Sequence, residues 1–193
     1  MEQIRAFIAI ELPDEIRQRL GQLETQLKAG GQRQVRWVNP ESIHLTLKFL
    51  GNISSGRVDE ITGAMEAAAR EITPFTIDVQ GTGVFPNIRR ARVAWVGLGG
   101  DTDRLLQLQK NIEASLGPLG FTPEGRDFTP HLTLARINEQ ASPEERQEFG
   151  ELVTSTRFEG GSIKAEAIRL IRSQLSRAGA VYSRLAEVKL GGA

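Results

Sequence analysis

Cysteine is absent from this sequence of 193 residues, and several other reactive or aromatic residues are scarce. The absence of cysteine excludes disulfides, thiolate metal sites and cysteine nucleophiles, and gives no sign of an oxidising compartment. There are only two histidines, two tryptophans and one tyrosine. Lys and Arg together number 24, as do Asp and Glu, so the formal net charge is zero. A zero net charge argues against a surface that attracts nucleic acid over its whole area, although a local basic patch is compatible with it.

Long apolar runs are also missing. The first residues, MEQIRAFIAIELP, are interrupted by Arg5 and Glu11, so they form neither the apolar centre of a signal peptide nor a membrane span. We therefore expect a cytoplasmic protein without membrane contact. Hydrophobic residues make up 39% and charged residues 25%, which is typical of a packed globule. The length suits a single domain or two small lobes with a shared core.

Hydrophobic periodicity predicts alternating strands and helices along the chain. A helix is expected at Asp14–Lys28, because Ile16, Leu20, Leu23 and Leu27 recur at helical spacing. The other predicted helices are 57–71, 102–116 and 143–153, and the predicted strands are 4–12, 35–38, 44–50, 75–79, 92–98, 131–136, 163–172 and 181–190. The glycine-rich stretches 81–86, 97–100 and 117–125 are expected to be turns.

An internal duplication is the clearest feature of the sequence. The tetrapeptide His-Leu-Thr-Leu occurs at His44–Leu47 and again at His131–Leu134, an offset of 87 residues. This offset is too long for a solenoid repeat, which runs to about 20–50 residues. We therefore predict one domain, residues 1–193, made of two pseudo-symmetric lobes at about 1–90 and 91–193, with exchange of strands between the lobes allowed.

The two histidines of the chain both open these tetrapeptides. In a strand, His44 and Thr46 share one face and the two leucines take the other, and His131 and Thr133 do the same. If the strands lie side by side, two imidazoles and two hydroxyls line one groove. An imidazole has an unperturbed pKa of about 6.5, so one copy can act as a base while the other acts as an acid. The alternative, two histidines that merely pack in strands, does not account for their identical contexts.

A phosphate bound in this groove needs further donors. The hydroxyls of Thr46 and Thr133 can hold phosphoryl oxygens, and Arg136 is the first candidate for a guanidinium contact. On an ideal strand Arg136 would face away from His131, unless the strand bends or ends. A catalytic zinc site usually has about three protein ligands, and each motif supplies one, so we expect no metal and no cofactor.

The sequence resembles the 2H phosphoesterase superfamily, which is named for two HxTx motifs, and within it the bacterial RNA 2′,3′-cyclic phosphodiesterases, also called 2′-5′ RNA ligases. The similarity extends over nearly the whole chain. It includes RAFIAIELP at 5–13, VRWVNPESIHLTLKFLG at 35–51, PHLTLAR at 130–136 and LIRSQLSRAGAVY at 170–182. One departure is Thr129, where relatives often carry a basic residue.

This resemblance implies a bilobal α/β (α+β) fold in which antiparallel sheets flank a central cleft and helices lie outside. It implies a hydrolase that converts a terminal 2′,3′-cyclic phosphate on RNA to a 2′-phosphate. By the family's assignment His44 protonates the leaving 3′ oxygen and His131 activates water. With a ribose 5′-hydroxyl in place of water, the same steps give 2′-5′ ligation. The expected partner is RNA with cyclic phosphate ends, tRNA fragments included, and the protein is expected to be a monomer without an obligate protein partner.

Two other functions are compatible with the same residues. One is a phosphodiesterase of the same superfamily that acts on small cyclic nucleotides or on an ADP-ribose cyclic phosphate. The other is a binding module for RNA ends that has no catalytic activity.

Several residues keep two interpretations. Lys48 either binds phosphate or is a solvated lysine, and the basic cluster Arg89, Arg90 and Arg92 either contacts single-stranded RNA or is a solvated strand end. Trp37 and Trp95 are expected in the core.

Overall fold

Residues 1–192 are described by a computed structural model, which contains nine strands and four helices. The strands are β1 (Gln3–Glu11), β2 (Val35–Trp37), β3 (His44–Ser54), β4 (Phe75–Phe85), β5 (Val93–Gly100), β6 (His131–Ile137), β7 (Glu159–Ala165), β8 (Ala167–Ser176) and β9 (Gly179–Lys189). The helices are α1 (Asp14–Lys28), α2 (Val58–Ala69), α3 (Thr102–Leu116) and α4 (Pro143–Ser155). Within residues 1–192, none of these helices combines the length and apolar character that crossing a bilayer requires.

The strands form two antiparallel sheets. The first has the order β3-β1-β8-β9 and the second the order β2-β6-β5-β4-β7. Every pairing between neighbours is antiparallel. Each sheet takes strands from both halves of the sequence, so neither sheet is formed by one half alone. The predicted α/β architecture with two antiparallel sheets is confirmed.

Helices cover the two sheets, and they form where the sequence supplies an apolar stripe and a cap. Helix α1 buries Ile16, Leu20, Leu23 and Leu27, as its spacing predicts, and packs on β7. Helix α4 begins with Pro143 and a reciprocal capping box, in which Ser142 and Glu145 satisfy each other's free backbone N–H groups. It packs on β4, whereas α2 contacts β8 and β9 and α3 contacts β3.

One prediction about a strand and one about turns were wrong. The single strand expected at 163–172 is two strands, β7 and β8, which are separated by Glu166 and belong to different sheets. Alternation of apolar residues continues across Glu166, because this pattern shows which side chains are buried and does not show which strand is the partner. The glycines at 81–85 and 97–100 lie within β4 and β5, not in turns.

Candidate active site

The two repeated tetrapeptides open equivalent strands, β3 and β6. Leu45, Leu47, Leu132 and Leu134 are buried in the core. His44, Thr46, His131 and Thr133 are half-buried and face the space between the sheets. The period of two in a strand therefore places both imidazoles and both hydroxyls on accessible faces.

Each imidazole is held by a backbone carbonyl two residues before it. Nδ1 of His44 lies 2.9 Å from the Ser42 oxygen, and Nδ1 of His131 lies 2.7 Å from the Thr129 oxygen. A carbonyl oxygen only accepts hydrogen bonds, so Nδ1 carries the proton in both rings. Nε2 of each ring is then the atom available for proton transfer with a substrate. Thr129, where relatives often carry a basic residue, contributes its backbone here, which is independent of its side chain.

A bulge lies at the last residue of each tetrapeptide, at the same place in the repeat. Thr46 pairs with Ala9 and Lys48 with Ile8, so Leu47 is an extra residue in β3. In the same way, Thr133 and Ala135 pair with consecutive residues of β5, so Leu134 is an extra residue in β6. An extra residue reverses the alternation of faces beyond it. Arg136 therefore lies on the same face as His131 and Thr133, although an ideal strand would turn it away.

All five predicted site residues line one cleft. It consists of two adjoining cavities of about 310 and 570 Å³. Both cavities are lined by His44, Thr46, Thr133 and Arg136, and His131 lines the larger one. The cleft thus brings the predicted imidazoles, hydroxyls and guanidinium together, and Arg5, Arg126, Glu124 and Asp127 also line it. This set can transfer two protons and hold an anion.

The family model described as "LigT like Phosphoesterase" matches this chain twice, at residues 10–95 and at residues 98–182. The two matched segments cover most of the chain and contain one HxTx motif each. The chain belongs to this family.

Relatives of this LigT-like phosphoesterase agree with that assignment. The RNA 2′,3′-cyclic phosphodiesterase of Methanothermobacter thermautotrophicus is 34% identical over 189 residues, which are 97% of this chain and 100% of the relative. Among solved structures, TT0787 of Thermus thermophilus superposes with a TM-score of 0.78 at 30% identity, covering 98% of this chain and 99% of its own. E. coli LigT in complex with 3′-AMP has the same TM-score and coverage at 26% identity.

The two histidines of this phosphoesterase differ in their surroundings. The His44 ring makes edge contacts with Phe7 and Tyr182, at centroid distances of 5.7 and 5.1 Å. The His131 ring makes one such contact, with Phe85 at 5.0 Å. Burial lowers the pKa of His44 and the charge of Arg17 lowers it further; the bond to the Ser42 carbonyl and the charge of Glu11 raise it, and the net direction is downward.

Glu11 lies directly across from His44 in the pairing of β1 with β3. Its carboxylate receives a hydrogen bond from Arg184 at 2.8 Å and lies 3.5 Å from Arg169. Burial raises the pKa of Glu11, but the bond from Arg184 and the charges of Arg169 and Arg184 outweigh burial, so the pKa stays below its ordinary value. The two arginines therefore favour the charged form of Glu11 beside His44.

Lys48 fits neither interpretation from the sequence. The bulge at Leu47 turns its side chain away from Thr46, and the residue is 3% exposed. Nζ donates to Glu113 Oε2 at 2.9 Å and to the Thr122 carbonyl at 2.8 Å. Lys48 borders the larger cavity, but its ammonium is already paired. It joins β3 to helix α3 and to the loop that forms one wall of the cleft.

Sequence reasoning missed Phe49, which lines the cleft, and Arg36, which pairs with a residue of the cleft. Phe49, which is 59% exposed, borders both cavities and occupies the position equivalent to Arg136 in the other repeat. The offset of 87 residues could have identified it. Arg36 lies directly across from Arg136 in the pairing of β2 with β6. Like charges in this arrangement repel each other. Neither guanidinium has a hydrogen bond or ion pair to another residue among 1–192, so the pair favours an anionic ligand.

No group of three or more His, Asp or Glu side chains within residues 1–192 is placed to share a metal ion.

Proposed function

We propose that this phosphoesterase hydrolyses the 2′,3′-cyclic phosphate at the 3′ end of RNA to a 2′-phosphate, without a metal ion. The observation that carries the proposal is the pair of imidazoles in one cleft, each with Nδ1 bonded to a carbonyl and Nε2 available. Relatives named RNA 2′,3′-cyclic phosphodiesterase over nearly the full length of the chain support the substrate class. An E. coli relative crystallised with 3′-AMP supports binding of a ribose that carries phosphate at its 3′ side.

The two histidines take opposite roles in the proposed reaction. His131, as the neutral imidazole, removes a proton from water through Nε2, and the water attacks phosphorus. His44, as the imidazolium, donates its Nε2 proton to the departing 3′ oxygen. Thr46 and Thr133 donate hydrogen bonds to the non-bridging oxygens, and Arg136 neutralises their charge. Phe49, at the rim of the cleft, offers an aromatic face on which the terminal base can stack.

Ligation belongs to the same proposal. If a ribose 5′-hydroxyl replaces water, the same two proton transfers form a 2′-5′ phosphodiester.

The test is an end-group analysis of a 2′,3′-cyclic RNA incubated with the protein in EDTA. We expect a 2′-phosphate product, and a bell-shaped pH profile of kcat/KM that reports one acid and one base. His44→Ala and His131→Ala should each lower kcat/KM by about a hundredfold or more, because a positioned acid or base contributes about 10²–10⁴.

Three results would count against the proposal. Full activity in either histidine variant would remove the two-histidine mechanism. Loss of activity in EDTA, with recovery on adding a divalent cation, would show that a metal is needed. Turnover of a cyclic mononucleotide but not of a cyclic-ended oligonucleotide would favour a small cyclic phosphodiester as substrate.

A further inference from the structure

The cleft continues beyond His131, along the face of the second sheet. A depression of about 370 Å³ adjoins the larger catalytic cavity and shares Phe85, Phe128 and His131 with it. A wider depression of about 700 Å³ follows, shares Trp95 with the first and reaches Arg89 and Arg90. The two depressions form one groove, which we call the Trp95 groove. It leads from His131 to the two arginines.

Aromatic rings form the floor of the Trp95 groove. Trp95 pairs with Thr133 of the neighbouring strand, so its side chain lies on the face that carries the catalytic residues. The sequence context predicts a core position for Trp95, but the residue is half-buried. Its indole lies flat on Gly83, where an added Cβ would come within 2.2 Å of the ring. The Phe85 ring lies between Trp95, at 5.3 Å, and His131, at 5.0 Å. Glycine at position 83 thus keeps an aromatic platform open beside the catalytic base.

The far end of the Trp95 groove is positively charged. Arg89 and Arg90 are exposed, and neither guanidinium has a hydrogen-bond or ion-pair partner among the residues that the structure describes. The short turn that carries them is held in place, because Asn87 caps it and α4 packs against it. Of the side chains in 1–192, no carboxylate lines either depression. Stacking platforms next to unpaired arginines are the arrangement by which proteins bind single-stranded nucleic acid.

The position of the groove relative to the reacting phosphorus indicates what it binds. In the proposed function, on which this step depends, His131 activates the nucleophile, so the groove lies on the side of attack. A water molecule occupies only about 30 Å³ of liquid volume. The groove is far larger, and binding a water molecule requires neither its aromatic floor nor its arginines. The nucleophile side is therefore shaped for a nucleotide.

We propose that the Trp95 groove binds the 5′-terminal nucleotide of a second RNA strand. The first base of that strand stacks on Trp95, and its first phosphodiester lies against Arg89 and Arg90. In the reaction the acceptor 5′-oxygen forms a bond to phosphorus and the bond from phosphorus to the 3′ oxygen breaks. The proton of the 5′-hydroxyl passes to His131, and the proton of His44 passes to the 3′ oxygen. No other reactant is needed.

The experiment measures how much of a cyclic-ended oligonucleotide reacts with water and how much reacts with the 5′-hydroxyl of an acceptor. Two acceptors are compared at equal concentration: adenosine, which has a 5′-hydroxyl but no phosphate, and the dinucleoside monophosphate ApA. In the wild-type protein we expect about tenfold more 2′-5′-linked product with ApA than with adenosine. In the double variant Arg89→Ala with Arg90→Ala this preference should disappear, while hydrolysis of a cyclic mononucleotide stays unchanged.

Three further measurements sharpen the test. Trp95→Leu should lower transfer to both acceptors by about tenfold, because stacking is lost for each. Lys110→Ala with Lys189→Ala is the control, since it removes two exposed positive charges that line none of these cavities. It should keep the preference for ApA. That preference should also weaken as salt rises, and the double arginine variant should show no such dependence.

The possible failures are distinct. Absence of hydrolysis in the wild-type protein would overturn the proposed function itself. Normal hydrolysis with no transfer product, or with equal transfer to both acceptors, would overturn the assignment of the groove alone. An equal loss of hydrolysis and transfer in the double arginine variant would show that these arginines hold the cyclic-ended strand, which also refutes the assignment. The arginine variants are at exposed positions, so the test stands even if Trp95→Leu fails to fold.

Discussion

Replacing Lys48 by methionine separates a structural role from phosphate binding. Methionine keeps most of the aliphatic length of lysine and removes the ammonium, which bonds to Glu113 and to the Thr122 carbonyl. The Lys48 and Glu113 side chains are 3% and 16% exposed, so Glu113 would be left with little solvent and only its bond from Gln109. Breaking a buried ion pair on one side costs about 3–5 kcal/mol. Because Glu113 keeps some exposure, we expect a loss of about 3 kcal/mol.

The stability assay is urea unfolding followed by circular dichroism, with the free energies compared at 25 °C. Lys164→Met is the matched control, since Lys164 forms an ion pair with Glu166 in which both side chains are mostly exposed. It should cost less than about 1 kcal/mol. The double variant Lys48→Met with Glu113→Leu removes both charges and should recover most of the lost stability.

Activity decides between the two roles of Lys48. Below the unfolding transition, Lys48→Met should keep kcat/KM within a few-fold of wild type, because the ammonium is not available to a substrate. A variant as stable as wild type but reduced a hundredfold in activity would refute the reasoning. That result would mean that Lys48 leaves Glu113 to bind phosphate during turnover.

Two carboxylates give further predictions. Glu24 is 2% exposed, and burial, partly offset by Lys28, raises its pKa from 4.5 to about 7. The folded state therefore holds more protons than the unfolded state between these values, so stability falls as pH rises through them. The penalty reaches about 3 kcal/mol above pH 7, at about 1.4 kcal/mol per pH unit. Glu24→Gln should be more stable than wild type by up to that amount at pH 8 and about equal to it at pH 4, as measured by urea unfolding; an equal difference at both pH values would contradict this. Glu11→Gln removes the charge that raises the pKa of His44 and leaves Arg169 and Arg184, so that pKa should fall. If His44 is the acid, the alkaline limb of the kcat/KM profile moves to lower pH, whereas movement of the acid limb would make His44 the base.

The candidate site could be predicted from the sequence as far as duplication and strand alternation reach. The repeated tetrapeptide identified His44, Thr46, His131 and Thr133, and the structure places all four at one cleft. Alternation alone gave the wrong face for Arg136, because a bulge is not visible in a period of two. The bulge at Leu134 reverses the phase and brings the guanidinium to the cleft. The matching bulge at Leu47 buries Lys48 and exposes Phe49.

The positions of the helices and strands were more predictable than the pairing of the strands into sheets. The four helices and most strands lie where hydrophobic periodicity places them. The sequence did not predict which strands of each half join which sheet, since pairing depends on contacts between residues far apart in the chain. Glycine was misinterpreted for a related reason. Gly83 was expected in a turn, but its lack of a side chain serves the packing of Trp95, which lies 12 residues later in the sequence.

Duplication alone does not decide which histidine is the acid and which is the base. The repeat supplies each histidine with the same strand position, the same bulge at the end of the motif and an equivalent carbonyl partner for Nδ1. With two equivalent imidazoles either ring could carry the proton, whereas the proposed reaction assigns it to His44. The difference must therefore come from parts of the fold that are not equivalent.

The edge strands of the two sheets, β9 and β7, are such parts. Strand β9 pairs with β8 along its whole length, whereas β7 pairs with only the first half of β4. From β9, Tyr182 contacts the His44 ring and Arg184 holds Glu11. Strand β9 thus supplies part of the surroundings that distinguish His44 from His131, and substitutions on β9 should alter the pH profile without touching either histidine.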